Sequence, residues 1–203
     1  MLERFRAFWT RFFSPVAHLL LRLGVSPDAV TLVGTLGVSA GALIFFPQGK
    51  LLIGVLVITA FVFSDLIDGY MARTAGTSSR FGAFFDSTMD RIGDGAVFGG
   101  LLLFFAGPGD SKLYLVLCLY CLVMGSVTSY ARARAESLGM TAKGGIAERA
   151  DRLVAILVMT GLAGIFDLPL LIYVTLWALA AANSVTVVQR ILMVRKQALE
   201  AAS

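Results

Sequence analysis

Residues 64–94 read SDLIDGYMARTAGTSSRFGAFFDSTMDRIGD, with apolar runs on both sides long enough to cross a bilayer. Five aspartates and three arginines fall within this stretch. An aspartate at the centre of a membrane helix costs roughly 2.5–3.5 kcal/mol on insertion scales. Four without partners would cost on the order of 10 kcal/mol, comparable with the net stability of a whole domain. A bound cation, a basic partner or a water-filled cavity must offset that, so acids here are functional candidates. Asp65 and Asp68 are three apart and Asp86 and Asp90 four apart, so each pair shares one face of its own helix. A span starting near Leu51 puts Asp65 about 21 Å along it, close to the far side of a ~30 Å core. The span returning from near Gly82 carries Asp86 about 6 Å and Asp90 about 12 Å below that same side. Four carboxylates therefore reach one level, and crowded oxygen ligands of this kind favour one or two divalent cations. Pairing with Arg73, Arg80 and Arg91 would account for one or two of these acids, not for all four.

Asp65, Asp68, Gly69, Ala72, Arg73, Gly82, Asp86 and Asp90 together read D-x-x-D-G-x-x-A-R followed by G-x-x-x-D-x-x-x-D. This pattern resembles the signature of the CDP-alcohol phosphotransferases. The resemblance implies a membrane enzyme that moves a phosphatidyl-type group from a CDP-linked lipid to an alcohol and releases CMP. It makes Asp65, Asp68, Asp86 and Asp90 ligands of two Mg²⁺ ions, with Mn²⁺ as the alternative, and makes Asp90 also the base that takes the attacking hydroxyl's proton. At Gly69, Ala72 and Gly82 a base or ribose can approach the helix backbone where no bulky side chain stands. Arg73 can hold a phosphate bidentately. Ser79 and the segment Asp28-Ala29-Val30-Thr31 match positions that reach the CDP-diacylglycerol in relatives. Asp94 lies outside the signature and reads as a supporting residue.

The chain has 203 residues, 58% of them hydrophobic, which indicates one integral membrane domain over 1–203 rather than a soluble core. Cys118 and Cys121, within LYLVLCLYCLVM, read as small buried hydrophobes. His18 reads as an interfacial residue. Residues 2–13, LERFRAFWTRFF, gather Leu2, Phe5, Trp9, Phe12 and Phe13 on one helical face, as in a helix lying along the membrane surface. The interfacial segment covers 1–24. Beyond it the expected fold is all-α, a six-helix transmembrane bundle over 28–195. Its spans are 28–46, 51–73, 83–106, 112–137, 150–166 and 169–193, divided by Gly/Pro-rich breaks. Gly161 and Gly164 suit close helix packing.

Of seventeen basic residues only Lys50 and Lys112 fall on the side opposite the termini. By the positive-inside rule both ends and the aspartate cluster are cytoplasmic, in the cell membrane. The net charge of +4 follows this topology and an anionic substrate, and nucleic acid is not implied.

The acceptor is read from the fourth and fifth spans. Ser129, Arg132, Arg134, Lys143, Arg149 and Arg152 surround one cytoplasmic loop, and Arg190 comes near the end of the last span. A cationic cluster beside an anionic metal site suggests an acceptor with its own phosphate. Ser129 and Arg132 share a helix face at i, i+3. The stretches SYARARAESLGMTAKGGIAERADRL, VSPDAVTLVGT and FFPQGK resemble the inositol-phosphate-accepting branch of the family. That resemblance puts Ser129, Arg132, Arg152 and Arg190 around the acceptor phosphate, with a lysine more common at the Arg132 position. The alternative is the glycerol 3-phosphate branch, whose G-K-x-K-T-x-x-Q stretch is missing around Lys143. Many members of the family are homodimers. A remote alternative is a cation transporter, since intramembrane acids also line ion paths, but no polar chain leads to the other face.

Overall fold

The computed structural model describes residues 14–76 and 79–201, and among them every regular element is helical. The amphipathic helix expected over residues 2–13 lies outside the described residues. A short helix, α1 (residues 14–22), leads to α2 (Pro27–Ala40), which a π-helical turn (Gly41–Phe45) and a 3-10 turn (Phe46–Gln48) extend. Then come α3 (Leu51–Val62), α4 (Ser64–Thr74), α5 (Arg80–Ala106), α6 (Lys112–Ser137), α7 (Arg149–Phe166) and α8 (Leu170–Glu200).

The start of α2 follows local chemistry: the Ser26 hydroxyl accepts the Ala29 N–H at 3.2 Å, and Pro27 occupies the first turn, where no donor is needed. The Ser79 hydroxyl accepts the Gly82 N–H at 2.8 Å and starts α5 in the same way. α7 opens on a reciprocal pair in which Glu148 and Asp151 each accept the other's backbone N–H.

Pro27–Gln48, Leu51–Thr74, Lys112–Ser137 and Leu170–Glu200 are each long and apolar enough to cross a membrane. α5 and α7, at 27 and 18 residues, are long as well but carry acids and arginines in their first halves. The fold is that of a multi-pass membrane protein. Its polarity is arranged accordingly, with Leu36, Leu56, Val123, Val158, Trp177 and Ile191 on the outer surface and Asp68, Arg152 and Arg190 buried. The central core is apolar, built on Phe46, Ile58, Leu101, Phe105, Ile156 and Leu176. Cys118 and Cys121 are free, buried thiols within it, as expected.

Two expected single spans are interrupted. The second divides at Phe63, between α3 and α4. There α2 presents glycines: a side chain at Gly34 would overlap Ser64, and one at Gly37 would overlap the Phe61 ring. The first span changes winding beyond Ala40, where α5 presses close; a Cβ on Gly100 would lie 2.6 Å from the Ala42 carbonyl oxygen. α2 thus packs against α3, α4 and α5 at once and sits between the two halves of the aspartate stretch. Gly161 and Gly164 do serve close packing, against Val55 and Leu52 of α3.

Candidate functional site

The acids gather where α2, α4, α5 and α7 meet. Asp68 is 6% exposed and accepts a hydrogen bond from the Thr31 hydroxyl of α2. Asp65, half-exposed on the preceding turn, lies 3.8 Å from the Arg149 guanidinium. Arg149 also holds Asp90 at 2.8 Å and Asp94 at 3.1 Å. Asp86 is exposed, and its charge repels those of Asp65, Asp68 and Asp90, so all four signature aspartates share one electrostatic neighbourhood. Among the described residues no three acidic, histidine or cysteine side chains form one compact group. Asp68 turns to Thr31 while Asp65 and Asp90 turn to Arg149. A cavity of about 20 Å³, enough for one water-sized occupant, has Asp65, Asp90 and Arg149 in its wall against Gly34 and Thr35.

Beside the acids, the N-termini of α2 and α5 come together. The Asp28 carboxylate lies 3.5 Å from where a Gly82 side chain would begin, next to the Ser79 cap. Two helix N-termini side by side form an anion-attracting edge. Ala29 and Val30 occupy the first turn of α2. Across Gly69 lies the Arg73 guanidinium, 3.4 Å from the position of a Cβ there, with Ala72 in the adjoining turn. His18 of α1 is hydrogen-bonded to the Tyr70 hydroxyl at 3.1 Å, which ties α1 to α4.

The arginines form the other side. Arg152 is 3% exposed, lies along Gly125 of α6, and donates to the Ala147 carbonyl at 3.3 Å. Arg190 is 4% exposed and donates to the Thr128 carbonyl at 2.6 Å and the Gly144 carbonyl at 3.2 Å. Ser129 receives a hydrogen bond from Arg91. Arg132, however, turns along its own helix to Glu136 at 3.0 Å and stays at the rim. The 139–148 loop is fixed over this region by α8. Gln197 bonds Thr141 in both directions, and the Thr186 hydroxyl accepts the Ala147 N–H at 3.1 Å. Only glycine fits at Gly145, where φ is +130° and a Cβ would strike Thr186.

Sequence reasoning placed Arg149 in the basic cluster and missed that it bridges the acids. The sequence shows that Arg149 and Arg152 share a face of their helix at i, i+3 and that Asp90 and Asp94 share a face of theirs at i, i+4, but that the two faces meet follows from packing.

Losing the Thr31 donor would leave the Asp68 carboxylate buried and less satisfied. Thr31→Val is expected to lower stability by about 1–3 kcal/mol, measured by unfolding in detergent with chelator present.

Carboxylates on α4 and α5 and two buried arginines on α7 and α8 lie within one helical membrane bundle. A sequence model described as CDP-alcohol phosphatidyltransferase matches residues 24–188, and the chain belongs to that family. It is 50% identical over 208 residues to the phosphatidylinositol phosphate synthase of Streptomyces avermitilis, covering 99% of this chain and 85% of the relative. It is 49% identical to that of Cutibacterium acnes, covering 97% and 98%. The Mycobacterium tuberculosis phosphatidylinositol phosphate synthase with CDP-DAG bound superposes with a TM-score of 0.86 at 44% identity, over 91% of this chain and 94% of that one. The same enzyme in complex with manganese and citrate gives 0.85 at 45% identity, over 89% and 87%.

Proposed function

We propose that this chain transfers the phosphatidyl group of CDP-diacylglycerol to an inositol phosphate, giving phosphatidylinositol phosphate and CMP. The observation that carries the reading is the pair of buried arginines: Arg152 faces Asp94, one turn beyond the signature's Asp90, and Arg190 is near enough to Arg152 for their charges to repel. An acceptor without a phosphate would leave both cations without an anionic substrate group. Near-full-length identity to phosphatidylinositol phosphate synthases supports the same conclusion.

Asp65, Asp68, Asp86 and Asp90 fit Mg²⁺ or Mn²⁺ by donor chemistry, hard oxygens from α4 and α5 in one electrostatic neighbourhood. The mutual repulsion among these four carboxylates supports the fit, because a divalent cation would relieve it. Divalent ions held there would neutralise the pyrophosphate and polarise the phosphorus under attack. The N-termini of α2 and α5, with Asp28, Ser79 and Gly82, receive the nucleotide end, and Arg73 faces a phosphate. Ser129, Arg152 and Arg190 hold the acceptor's phosphate, with Arg132 at the rim. An inositol hydroxyl attacks the lipid-bearing phosphorus, the bond to CMP breaks, and the hydroxyl proton passes to Asp90.

The six-span topology within a single domain belongs to this proposal, as do cytoplasmic termini and a cell-membrane location. The distribution of basic residues supports them. A homodimer is implied by the family resemblance; Gly100, Gly161 and Gly164 are taken up in packing within the chain, whereas Gly99 is open on α5.

The test is CMP release by purified protein offered inositol phosphate, free inositol, glycerol 3-phosphate and serine in parallel. Inositol phosphate is expected to give the highest kcat/KM. Preference for glycerol 3-phosphate would move the assignment to that branch, and preference for free inositol would remove the role given to the arginines.

A further inference from the structure

Asp94 lies outside the eight-residue signature, one turn beyond Asp90 on α5. Its side chain is 16% exposed, and three guanidiniums converge on it. Arg149 Nε meets one carboxylate oxygen at 3.1 Å. Arg91 and Arg152 face the other at 3.6 and 3.9 Å. Each arginine leads elsewhere. Arg149 reaches Asp90 and Asp65, Arg91 donates to Ser129 and lies 3.8 Å from Asp90, and Arg152 lies close enough to Arg190 for their charges to repel. Arg152 is repelled by Arg91 and Arg149 as well. Asp94 therefore sits at the seam between the acids and the arginine cradle, as the shared counter-charge of cations that would otherwise spread apart. The Nε of Arg91 is buried without a hydrogen-bond partner, a donor left over beside Ser129.

We infer that Asp94 is a positioning residue for the acceptor half of the site, gathering Arg91, Arg149 and Arg152 so that their remaining N–H groups face a phosphate monoester. The inference rests on the proposed phosphorylated acceptor. It gives Asp94 no contact with the reacting atoms, and it adds Arg91 to the groups that meet the acceptor's phosphate.

The test uses full-length protein in lipid nanodiscs with saturating divalent ion. Asp94→Asn is expected to raise the KM for inositol phosphate at least tenfold while the KM for CDP-diacylglycerol moves less than threefold. Asp94→Glu, which keeps the charge, is expected to restore most of that loss. A purely structural role would lower the yield of folded enzyme and leave the acceptor KM unchanged, which overturns the inference. A metal-ligand role would move the divalent-ion concentration for half activation with the acceptor KM unchanged, and that also overturns it. Should Asp94→Asn fail to fold, Arg91→Gln decides. It removes one gathered guanidinium and should raise the acceptor KM at least tenfold while the KM for CDP-diacylglycerol moves less than threefold, whatever kcat loses through the Arg91–Asp90 pair; an unchanged acceptor KM refutes the scheme. The wild-type acceptor panel separates the two levels. Use of free inositol in place of the phosphate defeats the functional reading and this inference together. Use of inositol phosphate with no KM shift in the variants defeats only the inference.

Discussion

Asp86→Asn is expected to reduce CMP release at saturating substrates by at least about a thousandfold, because a metal site contributes several kcal/mol to transition-state stabilisation. Folding should survive. Asp86 is exposed, and its charge repels Asp65, Asp68 and Asp90, so neutralising it relieves crowding rather than breaking a contact. Thermal unfolding in the presence of chelator should therefore show a midpoint equal to or above that of the wild type. Asp68→Asn is a useful contrast, because Asp68 is buried and holds the Thr31 hydroxyl. It should lose both activity and stability. Near wild-type turnover by Asp86→Asn, or full wild-type activity in excess chelator, would defeat the two-metal reading.

Much of this arrangement is legible from helix geometry. A rise of about 1.5 Å per residue places the acids of 51–73 and 83–106 at one level. The Ser26-Pro27 start, the buried cysteines and the glycines at 161 and 164 also follow from local pattern. What period and spacing do not carry is competition between partners. Arg132 shares a face with Ser129 at i, i+3, but Glu136 stands at i+4 on the same helix and takes the guanidinium. Arg149 finds its acids on other helices because α7 packs where it does. Nor does the pattern reveal that α2 lies between α4 and α5; the glycines at 34 and 37 are the trace of that approach, and only the packing gives them their meaning.

The arginines on the acceptor side give the most selective expected result. A hydrogen bond to a charged group contributes roughly 1.5–3 kcal/mol, so losing one to the acceptor's phosphate should weaken use of inositol phosphate by about ten- to a hundredfold. CDP-diacylglycerol should bind nearly as before, because Arg152 and Arg190 are partnered with Ala147, Asp94, Thr128 and Gly144, whereas the residues proposed for that substrate, Asp28 with Gly82 and Arg73 with Gly69, adjoin one another. The two positions should differ in one respect. Removing Arg152 leaves Asp94 with Arg149 and Arg91, and Ala147, whose carbonyl it held, is still fastened by Thr186, so Arg152→Gln should loosen the 139–148 loop less than Arg190→Gln and lose chiefly acceptor affinity. Arg190 fastens both the Thr128 and the Gly144 carbonyls, so Arg190→Gln should also loosen the 139–148 loop and make it more sensitive to protease. Arg190→Lys separates these effects, since a lysine keeps the charge but not the planar fork that spans two carbonyls. It should retain more acceptor affinity than Arg190→Gln while still loosening the loop. Equal losses for inositol phosphate and CDP-diacylglycerol in the Arg152 and Arg190 variants would mean that these arginines support the site as a whole, and the assignment of an acceptor half would have to be withdrawn.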